Sequence, residues 1–180
     1  MYITASQIRS AKVFDADGHQ LGQLLRVHLD QQNGSILAFE MDQKGPRFIS
    51  PHDVLGWKTS YLILGQDYEI HDASDLVRLA QSLQRAGGDL LGKKVRTEGG
   101  TKLGKVYSYT LNTKRMVLAS ITVQKSLFGL FRYDTRLIHQ CNILEIKPRL
   151  IIVRETWMKI PAQNSPEKFD LQNSPTLDRA

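Results

Sequence analysis

The sequence predicts an all-β protein made of two small β-barrels in tandem, joined by a short amphipathic helix and followed by a disordered tail. Three observations carry that prediction. The first is an internal repeat: residues 13–29, V-F-D-A-D-G-H-Q-L-G-Q-L-L-R-V-H-L, return as residues 95–111, V-R-T-E-G-G-T-K-L-G-K-V-Y-S-Y-T-L. Val13 falls on Val95, Gly18 on Gly100, Leu21 on Leu103, Gly22 on Gly104 and Leu29 on Leu111, all 82 positions apart. A fixed offset of this kind marks a duplicated supersecondary unit. The second is strand-like alternation: in the later copy Leu103, Lys105, Tyr107, Tyr109 and Leu111 are expected on one face, with Gly104, Val106, Ser108 and Thr110 on the other. The third is a glycine inside each returning strand, Gly22 or Gly104, which marks a bulge or a close backbone approach and lets a small sheet bend toward closure.

Taken in order, residues 2–12 lead into the first hairpin, with Ile3 and Ile8 as its anchors. Asp15 to Gly18 form the turn, since glycine accepts positive φ without steric penalty. Asn33-Gly34 between apolar runs is a strong hairpin signal, and it sends residues 35–41 back along residues 25–29. Gly45-Pro46 then turns the chain into a strand at 47–51, followed by short strands at 54–57 and 61–64. Leu76, Leu79, Ala80 and Leu83 recur at helical spacing, Asp72 or Ser74 can cap the start, and Gly87-Gly88 ends the run. The domains are therefore 1–72, a linker helix at 73–88, 89–155, and a flexible Pro- and Asn-containing tail at 156–180.

The closing strand of the second copy, residues 150–153, matches 61–64 at an offset of 89 rather than 82. The seven extra positions fall around Lys125 to Arg132, and an insertion in a duplicated unit maps to a loop. Units of roughly 70 residues lie near the lower limit for an independent core, so each is expected to lean on the other.

Net charge is +6, but it is unevenly placed. Residues 1–72 hold six Lys and Arg against nine Asp and Glu, whereas 73–155 hold fifteen against six. Such asymmetry is read two ways: the second unit meets an anionic surface, or the halves attract each other within an ordinary solvated exterior. A single cysteine, Cys141, permits no internal disulfide and points to a reducing compartment. With no long apolar run in the first twenty residues, the chain is expected to be cytoplasmic or peripheral to a membrane.

The pattern D-L-L-G-K-K-V, a turn, then K-L-G-K-V and a strand ending T-L-N resembles the PRC-barrel domain family. That family includes the cytoplasmic part of the photosynthetic reaction-centre H subunit and the C-terminal half of the ribosome maturation factor RimM. The resemblance covers residues 4–70 and 88–155, although Ser10 stands where the second copy has Gly92. It implies a barrel that docks on a larger assembly without chemistry of its own. The expected function is a non-catalytic interaction or adaptor protein, an assembly or stability factor for a membrane-associated or photosynthetic complex. The alternative is an RNA-associated ribosome maturation factor.

No catalytic or cofactor site is expected. The run from Gly87 to Lys94 has the glycine spacing of a phosphate loop but lacks the following Ser or Thr and precedes a strand. His139 and Cys141 form a pair of ligand-type residues, which is not a metal site. Asp15 and Asp17 are explained by turn chemistry. Two binding candidates remain. Leu127, Phe128, Leu130, Phe131 and Arg132, with Lys125 as the other basic flank, either cap the barrel's end or the interface between the barrels or make an exposed apolar finger suited to a protein groove or a membrane surface. Lys93, Lys94, Arg96, Lys102 and Lys105 make a basic group for RNA or another anion, with Tyr107 and Tyr109 nearby for stacking.

Overall fold

In a computed structural model of the chain, residues 1–42, 47–72, 81, 89–127 and 131–155 are described. Apart from Gln81, the expected linker helix at 73–88 and the whole tail from 156 lie outside them, as do Phe128 to Leu130. The protein is mostly β, with a β-barrel-like architecture of two seven-stranded sheets.

The first sheet uses β2 (Lys12–Phe14), β3 (Gln20–Leu29), β4 (Ile36–Met41), β5 (Arg47–Ile49), β6 (Val54–Trp57), β7 (Tyr61–Leu64) and β8 (Ile70–His71). The second uses β9 (Lys94–Thr97), β10 (Lys102–Asn112), β11 (Val117–Leu127), β12 (Phe131–His139), β13 (Ile143–Ile146) and β14 (Leu150–Val153), with β1 (Tyr2–Thr4) added. The strand orders are β6-β7-β2-β3-β4-β5 and β13-β14-β9-β10-β11-β12, the same path twice. Each contains one parallel pair, β2 with β7 and β9 with β14, and each carries one 3-10 turn, Pro51–Asp53 or Gln140–Asn142, 89 residues apart. The repeat is therefore a repeat of topology as well as of letters.

The seventh strand differs. In the first sheet β8 covers the outer edge of β5, pairing Phe48 with His71 and Ile49 with Ile70. In the second, β1 pairs with β10, Ile3 opposite Leu111, so the N-terminal residues read as the lead-in to the first hairpin belong to the other sheet. The crossing follows from what Ile3 can bury: it is wholly enclosed, and the short helix α1 (Ala5–Arg9) returns the chain to β2.

Alternation along β10 is broken twice, by register shifts between Lys102 and Gly104 and between Val106 and Ser108. Leu103, Val106, Tyr109 and Leu111 are buried while Lys105 and Tyr107 are exposed, so the simple two-face reading of this strand is corrected. Gly104 explains the first shift. Its φ is +133°, and a Cβ there would lie 2.2 Å from the Gln124 carbonyl oxygen. Only glycine allows β10 to approach β11 so closely.

The two units share one hydrophobic core. The β3–β4 turn docks on the second unit: the Ile36 amide donates to Met116 O, the Leu118 amide to Gly34 O, and Gln140 Nε2 to Asn33 O at 2.9 Å. Arg9 adds an ion pair with Asp89 at 2.7 Å. Among the described residues no helix is long and apolar enough to cross a membrane.

Candidate anion-binding site

β9 and β10 pair antiparallel, with Lys94 directly opposite Lys105 and Arg96 directly opposite Lys102. Residues two apart on a strand share a face, so the four cations form two adjacent rungs on the outer side. Lys94, Lys102 and Lys105 are exposed and Arg96 is half-buried, while Val95, Thr97, Leu103 and Val106 point into the core. The four line one open groove of about 310 Å³ with Gly104, Gln124 and Lys125.

Like charges set directly opposite each other destabilise a sheet. None of the ion pairs among the described residues involves Lys94, Arg96, Lys102 or Lys105, and Arg96 Nε has no hydrogen-bond acceptor there. The rungs are a local cost that the fold itself does not require. The first unit shows this, because its corresponding rungs are Lys12 opposite Gln23 and Phe14 opposite Gln20. Asp42 takes the place of Gln124, and Phe14 stacks edge-on against Tyr61 at 6.1 Å between ring centres.

Lys93 departs from the predicted group. It is buried, and its Nζ donates to the carbonyls of Lys147 (3.1 Å) and Pro148 (2.7 Å), holding the β13–β14 turn. Burial lowers the pKa of its amine, against the opposing pull of Asp89. Tyr109 is likewise removed from the surface, 3% exposed with its phenol pKa raised by burial, whereas Tyr107 is 52% exposed. Lys125, read as a flank of the apolar finger, lines the groove.

That finger is placed only in its backbone. Leu127 pairs with Phe131 and Ser126 with Arg132, so these flanking residues extend β11 and β12. Phe128 and Leu130 lie outside the described residues.

His139 and Cys141 line a shallow groove of about 740 Å³ at the junction of the units, beside Tyr2, Asn33 and Arg115. Among the described residues Asp15, Asp17 and His19 form a group whose ligand atoms lie within 4.8 Å of one another. Asp15 is already engaged by the backbone amides of Asp17 and His19 and by His19 Nδ1 at 3.0 Å, as its turn role requires.

Sequence reasoning missed a polar set in the first unit, in which His28 and Glu40 are buried and Arg26 is partly exposed. His28 Nε2 lies 2.7 Å from Glu40 Oε2, and Arg26 Nε lies 2.9 Å from the same oxygen. Burial holds the His28 pKa below its ordinary value despite Glu40. Burial thus favours the neutral imidazole, which shares Glu40 Oε2 with Arg26. The alternation of β3 with β4 could have signalled it, since Arg26 pairs with Glu40 and His28 lies two residues on along the same face.

No known protein-family profile matches the chain, and no curated protein matches it.

Proposed function

We propose that the chain is a non-catalytic docking module of two PRC-barrel-type units in tandem, and that the second unit holds an anionic partner on the Lys94–Lys105 and Arg96–Lys102 rungs. The observation that carries this reading is the pair of directly opposed cation pairs in one groove, set against a first unit that builds the same ladder with one cation. Cations that oppose one another on a sheet are relieved when an anion lies between them. The shared core and the docked β3–β4 turn support a rigid body that presents this face to a larger assembly, as the PRC-barrel resemblance implies.

The test uses the full chain and long-chain inorganic polyphosphate. Wild type binds, with affinity falling steeply as salt rises; Lys94→Glu/Arg96→Glu abolishes binding, and Lys12→Glu on the first unit leaves it intact. Equal binding by the wild type and the ladder double variant would overturn the assignment.

A further inference from the structure

The docking reading leaves the anionic partner open, and the surroundings of the ladder narrow it. From this reading we infer that the partner is a single strand of nucleic acid, its phosphates on the rungs and a base on Tyr107. Tyr107 follows Lys105 by two residues on the outer face of β10 and is 52% exposed. Tyr107 is not part of the groove lining but stands one strand step beyond its Lys94–Lys105 rung, and an exposed aromatic ring beside a row of cations can hold unstacked bases, because every base has a π face. Lys94 and Arg96 are about 6.6 Å apart along their strand. That is of the order of the step between successive phosphates of an extended strand.

Other anions fit less of this. A duplex keeps its bases stacked inside, which leaves Tyr107 no face to meet. A bilayer is flat, and interfacial anchoring projects apolar side chains beyond the charges; here Arg96 is half-buried within a concave groove. An acidic peptide meets the cations but brings no planar face to the exposed side of Tyr107. The first unit again gives the contrast: the position matching Tyr107 carries Leu25, 39% exposed, beside a ladder with one cation.

Fluorescence anisotropy with labelled oligouridylate and oligothymidylate tests this, with the duplex each forms with an oligoadenylate strand, polyphosphate, poly-glutamate and anionic vesicles as comparisons. Either single strand is expected to bind tighter than the duplex, with a log affinity against log salt slope of about −3 for four cations engaged. Tyr107→Leu should weaken single-strand binding about ten-fold and Tyr107→Phe should retain it, while polyphosphate binding stays unchanged in both. Duplex, poly-glutamate or vesicles binding as well as single strands would overturn the inference, as would a Tyr107→Leu variant that binds oligonucleotide normally. If polyphosphate binding still depends on Lys94 and Arg96, the docking reading survives that outcome; if it does not, both fall.

Discussion

Laid over one another, the two units agree inward and differ outward. Val13 and Val95, Leu24 and Val106, Leu29 and Leu111, Phe39 and Ile121, Leu62 and Ile151 occupy equivalent places and all are buried. The outward positions change character: Lys12 is kept as Lys94, but Phe14, Gln20, Gln23 and Asp42 in the first become Arg96, Lys102, Lys105 and Gln124 in the second. The ladder is thus a decoration that the shared topology permits and does not demand. The polar set divides the units in the opposite sense. Arg26, Glu40 and His28 of the first are matched, 82 residues on, by Ser108, Thr122 and Thr110.

Breaking the second unit at its tightest point has the largest expected effect. Gly104→Ala places a Cβ 2.2 Å from Gln124 O on a backbone with φ +133° and should cost about 3 kcal/mol or more. A fall in the urea unfolding midpoint measures it, with Gly18→Ala, where a Cβ meets nothing within 4 Å, as the milder control.

The next effect separates the units by pH. Because burial depresses the folded pKa of His28, its contribution is present above the ordinary imidazole value of about 6.5. As pH falls below that value the unfolded chain takes up a proton that the folded chain refuses. Stability should then drop by up to about 1.4 kcal/mol per pH unit until the folded pKa is reached. Denaturation at pH 7.5 and 5.5 is expected to show this slope in the wild type and a reduced one in His28→Gln. An unchanged slope in the variant would move the acid sensitivity elsewhere.

The smallest effect is also the most pointed. Lys102→Gln/Lys105→Gln gives the second ladder the glutamines of the first and should raise stability by about 0.5 kcal/mol through relief of the opposed charges. The same variant should bind polyphosphate weakly. A gain in stability coupled to a loss of binding is the signature of a surface kept for a partner.

Much of this was legible in the letters. The two offsets placed the matching strands, because an inward-facing apolar position has few substitutes. The β1 crossing was not, since three residues carry no signal of a partner more than a hundred positions away. The ladder was half legible. The cations could be named, but which faced outward depended on two bulges in β10 that alternation alone does not locate. Lys93 misled for the same reason: two adjacent lysines cannot share a face, and the sequence does not say which turns inward.

The crossing of β1 bears on how the chain is made. Thr4 leaves the ribosome before its partner Thr110, which lies 106 residues further along (110 − 4) and follows roughly 5–20 s later at ordinary elongation rates. For that interval the nascent first sheet carries an unclaimed three-residue segment with a buried-type isoleucine at its centre. Completion of the second sheet is the event that retires it, so an arrested or truncated polypeptide would offer that strand to whatever neighbour arrived first.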